Sequence, residues 1–438
     1  MCRLSIRLLA LCVLACCAPV PLAVTIAFAN DGPPVPDLPP VGPAVFRQPI
    51  FIDWSDDGQP EAPPGFRVER FAAGLDNPRW PLVLPNGDVL VSQARTEKLG
   101  GIPSELTAEL TRQGVLGRSP NNIVLLRQTG GGIDRHVLLD GQQQPFGMAF
   151  LDGYLYVANT DALLRFPYRV GQLRIDNEPE VLVKIPSGEQ PSRWNNHWTR
   201  NLIVDVARDK LFLSVGSATD IDADGHAHPD RAAIWELNAD GSGKRVYATG
   251  LRNPVGMDIE PDTGALWTTV NERDGLGEET PPDYLTRVVD GAFYGWPYVY
   301  FGTYPDPTHE RKNPDRVRAA QRTARVPDLA LGAHTVPLGI LFYRGEQFPE
   351  RYRHGAFVAR RGGVSRTRFL GIDVVFLPFE DGVPTGRVEP FLTGFIADLD
   401  EGTVHGRPVG LAMLPDGSLL VTDDAANVVW RVAYSGTE

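Results

Sequence analysis

Short apolar runs broken by Gly, Asp and Asn recur along most of this chain. Each unit opens with Pro or a similar residue, passes through an apolar strand, turns at Asp-Gly or Asn-Gly, and returns as a second apolar strand. It reads NPRWPLVLPNGDVLVSQA at 77–94, QPFGMAFLDGYLYVAN at 144–159 and TRNLIVDVARDKLFLSVGS at 199–217. It reads NPVGMDIEPDTGALWTTVNE at 253–272, recurs at 336–361, and closes as RPVGLAMLPDGSLLVTDD at 407–424. The turns carry the residues that a hairpin needs where φ is positive. A third strand follows at 122–128, 162–168, 232–237, 284–289, 371–379 and 427–434. Runs such as Leu211-Phe212-Leu213 and Leu419-Leu420-Val421 are almost wholly apolar, as in strands covered on both faces.

Stacked sheets of this kind cannot bury their faces alone, and a closed ring solves that. The pattern predicts an all-β fold: a six-bladed β-propeller of four-stranded antiparallel sheets over 65–438. An array of β-sandwiches is the competing architecture, but it does not explain the repeated Pro-x-Gly opening. Successive turns lie roughly 55 to 90 residues apart, longer than short propeller repeats, which implies loop insertions. The longest insertions fall at 99–120, 275–282 and 302–331, and Thr107 to Leu110 suits a short helix.

Composition then narrows the class. The chain has 438 residues and a formal charge of −12, which argues against nucleic acid as a partner. Its four cysteines, Cys2, Cys12, Cys16 and Cys17, all lie in a leader with Arg3 and Arg7, an apolar stretch at 8–18, and Ala27-Phe28-Ala29. Residues 1–29 read as a secretory signal peptide, not a transmembrane span, which places the protein in the periplasm or outside the cell. Val13-Leu14-Ala15-Cys16 also resembles a lipoprotein cleavage box, with Cys16 as the lipidated residue. The body holds no cysteine, and so no disulfide, thiolate metal site or CxxCH haem attachment. Residues 30–64 are rich in Pro, Gly and Asp and read as a tether or an arm on the surface, with Ile50-Phe51-Ile52 and Trp54 suited to docking.

Polar residues stand at matched positions before several inner strands: Asn195-Asn196-His197-Trp198, Arg252-Asn253, His334 and His405-Gly406-Arg407. Ring closure brings matched positions together, so His197, Arg252, Asn253, His334 and Arg407 should converge on the axis. A basic cluster on an acidic protein suits an anionic small molecule, and a histidine beside it suits a general base. The bland alternative is a set of polar residues filling a wet channel. The acidic stretch 271–279 offers Asp274 and Glu278 as calcium ligands. Asp220, Asp222 and Asp224 mimic the start of a calcium loop, but Arg231 stands where that loop needs Glu.

Several segments resemble the glucose/sorbosone dehydrogenases, soluble six-bladed quinoproteins. They are Leu251-Arg252-Asn253-Pro254 with Gly256, Asn271-Glu272-Arg273-Asp274, Pro282-Asp283-Tyr284-Leu285, Tyr294-Gly295-Trp296-Pro297 and Gly406-Arg407-Pro408-Val409-Gly410. The resemblance spans about 66–434 and implies pyrroloquinoline quinone (PQQ) with Ca2+ in the central channel. It puts His197 in the place of the catalytic base, with Arg252 and Asn253 at the quinone oxygens. Arg407 falls at the cofactor carboxylates, joined by one of Arg360, Arg361 or Arg366, and Gln142 falls near a cofactor-contacting glutamine. Trp198 and His334 stand as substrate contacts. The family lysine of the fifth repeat is replaced here by arginines only, and Arg273-Asp274-Gly275 replaces a calcium-binding Gly-Pro pair.

The activity so implied is oxidation of a sugar, sugar aldehyde or alcohol, with electrons passed to an external quinone or cytochrome. Two other readings stay open: a calcium-dependent lactonase-type hydrolase, and a non-catalytic sugar-binding or envelope propeller.

Overall fold

The Asn-Gly and Asp-Gly turns each join two neighbouring antiparallel strands, with Gly87, Gly153 and Gly417 at positive φ. The computed structural model describes residues 33–99, 104–112, 114–188, 195–223 and 228–436. The proposed leader and Cys16 lie outside them. Among the described residues, six sheets carry the repeat.

Blade 1 comprises Pro78–Val83, Val89–Gln93, Asn122–Thr129 and Gly132–Leu139. Blade 2 comprises Met148–Leu151, Tyr154–Ala158, Ala162–Pro167 and Glu180–Lys184. Blade 3 comprises Leu202–Asp205, Lys210–Val215, Ala233–Leu237 and Arg245–Thr249. Blade 4 comprises Pro254–Ile259, Leu266–Val270, Pro282–Arg287 and Leu329–Ala333. Blade 5 comprises Pro337–Phe342, Gly355–Arg361, Ile372–Glu380 and Glu389–Leu392. Blade 6 comprises Pro408–Met413, Leu419–Asp423 and Val428–Tyr434, and takes its outer strand, Phe66–Ala72, from the start of the body.

The innermost strand of each blade touches that of the next, and Pro408–Met413 touches Pro78–Val83, which makes the fold a closed β-propeller. Each cleft between blades holds its own apolar layer. Leu419 and Val421 pack with Phe357 and Val374 of blade 5, while Leu420 packs with Val89 and Val91 of blade 1. Alternate side chains of one strand therefore serve opposite clefts, which explains the near-continuous apolar runs.

A further apolar cluster crosses the axis. Trp80, Phe146, Trp198, Val255, Leu338 and Val409, one from the start of each blade, are buried together. Arg79 lies on the Phe146 and Trp198 rings of this plug and lines a cavity beside it, the cup.

The insertions carry local structure. Ser104–Arg112 is helical, extending the predicted turn at Thr107 to Leu110. The long insertion of blade 4, read from the sequence as a loop, holds the helices Pro307–Lys312 and Pro314–Thr323. Asp306 caps the first by accepting from the N–H groups of Thr308 and His309 at 2.8 and 3.1 Å. Each helix opens with Pro, where a missing N–H costs nothing.

The segment from residue 33 to residue 64 lies against the body. Tyr304 Oη donates to Pro36 O at 2.7 Å, Gly42 N to Leu276 O at 2.8 Å and Arg47 N to Val364 O at 2.7 Å. Ile50–Phe51 then pairs in parallel with Thr403–Val404. Trp54 packs on His405, Trp430 and Phe395.

Candidate functional site

His197 stands just before the inner strand of blade 3. Its Nδ1 lies 2.9 Å from Ser217 O and 2.8 Å from Ser217 Oγ. The carbonyl only accepts, and the Ser217 hydroxyl already donates to Thr219 O at 2.6 Å. Nδ1 therefore carries the hydrogen, and Nε2 keeps its lone pair. Burial, then the charges of Arg252 and Arg231, hold the imidazole well below its ordinary pKa, against the opposing pull of Ser217. Arg231 also locks the loop, donating to His197 O at 2.9 Å and to Ser217 O at 3.0 Å.

Blade 4 meets this group directly. Ser217 N donates to Arg252 O at 2.7 Å. Arg252 is buried and donates to Asp220 O at 3.1 Å, Asp220 Oδ1 at 2.6 Å and Asn271 O at 2.8 Å. A Cβ placed on Gly216 would stand 2.3 Å from Asn253 Oδ1 and 2.7 Å from His197 Cβ. His197 and Asn253 thus face each other across a gap only glycine allows. Asn253 Oδ1 is buried without a hydrogen-bond partner.

The polar rim continues into blade 5. Asp274 N donates to Asp220 Oδ1 at 3.2 Å, and Ser365 Oγ donates to Asp274 Oδ1 at 2.7 Å. Its side chain is half exposed, so it borders open space. Burial alone would raise its pKa, but the bond from His334 and the charge of Arg252 outweigh that and hold it below the usual carboxylate range. His334 stands 3.2 Å from Asp274 through Nδ1 and 2.9 Å from Gly277 O through Nε2.

At blades 1, 5 and 6, Arg79, Arg361 and Arg407 gather around Asp424. Arg79 pairs with Asp424, and Arg361 Nε donates to Asp424 Oδ2 at 2.8 Å. Asp423, beside it, accepts from the N–H groups of Arg407, Ala425 and Ala426. Three guanidiniums against two carboxylates leave this corner positive. Burial, then Arg361, push the pKa of Arg407 down to about 9, and burial pushes that of Arg79 down to about 10. Both shifts mark buried guanidiniums whose desolvation Asp424 does not fully offset. Arg407 Nε and Nη2, together with Arg79 Nε, are buried without an acceptor. Nε and Nη2 form the guanidinium edge that grips a carboxylate in a fork. The corner borders a cavity of about 170 Å3, lined also by Phe51, Asn77 and Arg95. Its donors fit the carboxylates of an anionic cofactor.

The structure corrects several assignments. Arg360 and Arg361 point to opposite faces of their strand, so Arg360 pairs with Asp373 at 2.7 Å while Arg361 reaches the cup. Arg366 is spent on the blade 4 insertion, donating to Glu278 O and Glu279 Oε1 at 2.5 Å each. Trp198 belongs to the buried plug, with its indole N–H on Thr96 Oγ1 at 2.9 Å, so it does not face a substrate. His334 has both ring nitrogens engaged and supports Asp274 instead of meeting a substrate. Glu278 accepts from Thr367 N and Oγ1 at 2.7 and 2.8 Å. Asp274 and Glu278 thus turn to different partners, and no group of three or more metal-ligating side chains occurs among the described residues. The residues present do not fit the expected calcium pair. Gln142 bonds Asp140 O and Asn159 and lines a groove between blades 1 and 2.

Sequence reasoning missed Arg79 and Asp424, and it read Asp220 as part of a calcium-loop mimic, whereas the structure pairs it with Arg252. Arg79 directly follows Asn77-Pro78, in the motif matching Asn253-Pro254, so the repeat itself held that signal.

The profile of the TrAA12-like family matches residues 60–282 and 304–435. The chain belongs to the TrAA12-like family. Residues 204–366 also match the glucose/sorbosone dehydrogenase family, bearing out the resemblance read from the sequence. An uncharacterized protein of Borreliella burgdorferi is 29% identical over 308 residues, covering 67% of this chain and 76% of its own. Among solved structures, a calcium structure of the Trichoderma reesei carbohydrate-active enzyme of family AA12 is 18% identical with a TM-score of 0.66. It covers 86% of this chain and 97% of that one. The holo PQQ domain of Coprinopsis cinerea pyranose dehydrogenase is 20% identical with a TM-score of 0.66, covering 87% and 100%. The PQQ-bound aldose sugar dehydrogenase of Streptomyces coelicolor is 16% identical with a TM-score of 0.55, covering 85% and 99%. At such identities the likeness carries the fold and not the chemistry.

Proposed function

We propose that this protein binds PQQ in the cup and oxidises a sugar, sugar aldehyde or alcohol, passing electrons to an external quinone or cytochrome. The observation that carries the reading is the buried, acceptor-starved edge of Arg407 beside Arg79 and Arg361, at the cavity these arginines line. Arg407, Arg361 and Arg79 would hold the cofactor carboxylates. Bound PQQ supplies the two-electron acceptor.

The chain's own work is to place and deprotonate the substrate. His197 takes the hydroxyl proton at Nε2, while Ser217 fixes its tautomer. Arg252, held by Asp220 and Asn271, keeps a permanent positive charge where negative charge develops. No step is assigned to calcium. A calcium-dependent hydrolase loses its support here, because Glu278 is committed to Thr367. The leader read from the sequence makes the periplasm or the cell exterior the site of action, and no helix among the described residues is long and apolar enough to cross a membrane.

Steady-state dye reduction with added PQQ, across aldoses, sugar aldehydes and simple alcohols, tests the reading. The wild-type protein should turn over at least one of these classes. His197→Gln should lose roughly 100- to 10,000-fold in turnover while still binding PQQ. Equal turnover by the two proteins would remove His197 from its role.

A further inference from the structure

Most of the cup is built by the blades, but one wall comes from outside the repeat. Phe51 belongs to the N-terminal arm and lines the cavity with Arg79, Arg361 and Arg407. Its ring lies 4.7 Å from the Arg407 guanidinium carbon. The arm is fixed at this point by backbone bonds: Ile50 N to Gly402 O at 2.9 Å and Ile52 N to Val404 O at 3.0 Å. These bonds tie it to the segment that leads into Arg407. Alternation along the strand turns Phe51 inward and leaves Ile50 exposed.

We propose that Phe51 is a positioning residue for the anion site, clamping the face of the Arg407 guanidinium so that its Nε–Nη2 edge stays aimed at the ligand's carboxylate. This rests on the proposed reading of the cup. The geometry explains an otherwise costly arrangement. Arg407 is nearly fully buried, makes no hydrogen bond through that edge, and sits beside two other guanidiniums. Without a partner on its face, repulsion from Arg361 and Arg79 would swing it toward solvent. An aromatic face stabilises the cation through its quadrupole and leaves the in-plane donors free, which a carboxylate at the same place would not. The N-terminal arm thus completes a site that the propeller alone leaves open on one side.

Calorimetric titration of the full-length protein with PQQ tests this. Phe51→Ala should raise Kd by roughly tenfold, the size of a partly desolvated cation–π contact. Phe51→Trp should restore binding, and Ile50→Ala, which faces outward on the same strand, should leave Kd unchanged. Arg407→Ala should abolish most binding, and adding Phe51→Ala to it should cost nothing more. If Arg407→Ala weakens binding but Phe51→Ala does not, or if the two losses simply add, the positioning role is wrong. An equal loss in Ile50→Ala overturns it too, by showing that docking of the arm alone matters. If Arg407→Ala binds as well as the wild type, the reading of the cup itself falls.

Discussion

Gly216 sets how closely blades 3 and 4 approach beside His197. A methyl group there meets Asn253 Oδ1 and His197 Cβ well inside contact distance, and His197 cannot retreat, because Arg231 and Ser217 hold its loop. Gly216→Ala should cost about 1–3 kcal/mol in stability, read from urea denaturation, and should cut turnover by displacing the imidazole. His197 itself makes a pH prediction. Burial and two nearby guanidiniums keep its folded-state pKa below the ordinary value. Nε2 is therefore unprotonated at neutral pH, and only acid converts it to the inactive form. The kcat/KM profile should stay flat through neutral pH and fall on the acid side, at a pH well below 6.5, near which a free histidine titrates. An acid limb at or above that value would show that the charge of Arg252 does not reach the base.

The plug shows how much one turn of each inner strand accomplishes. Phe146, Val255, Leu338 and Val409, at matched positions, are buried together with Trp80 and Trp198 and form an apolar floor. Arg79 lies on that floor, with its guanidinium carbon 5.6 Å from the Phe146 ring and 5.5 Å from the Trp198 ring. Trp80→Ala should lower stability by about 3–5 kcal/mol and weaken binding of an anionic ligand through Arg79, both measurable on one preparation. The sequence showed the strands, because apolar runs ending at Gly turns have one economical interpretation. It also pointed to His197, Arg252 and Arg407 through their repeat positions. It did not separate Arg360 from Arg361, since the phase of a strand buried on both faces is not marked by a polar alternation. Nor did it show that Trp198 is buried in the plug while its neighbour His197 turns to Ser217. The partners of Asp274 and Glu278 lie in blade 5, and spacing within one acidic segment carries no information about them.

Ring closure depends on a strand far from its partner in sequence. Phe66–Ala72 pairs with Val428–Tyr434 along its whole length and completes blade 6. Phe66 packs edge-on against Phe348, Tyr352, Phe391 and Tyr434. A protein beginning at residue 74 should expose the edge of Val428–Tyr434 and aggregate, whereas one beginning at residue 60 should keep the full-length protein's assembly state by sedimentation. The same closure brings Arg79 of blade 1 to Asp424 of blade 6, so an open ring also loses the anion corner. Architecture and chemistry are joined at that seam.

The central claim is that the cup holds a polycarboxylate quinone by its arginines, in reach of His197. A crystal structure of the protein with PQQ tests it most directly. The account predicts the cofactor above the Trp80–Trp198 plug, with a carboxylate on the Nε–Nη2 edge of Arg407 and its quinone oxygens on the His197 and Arg252 side. Cofactor density in the groove beside Gln142, or an empty cup at saturating PQQ, would contradict it.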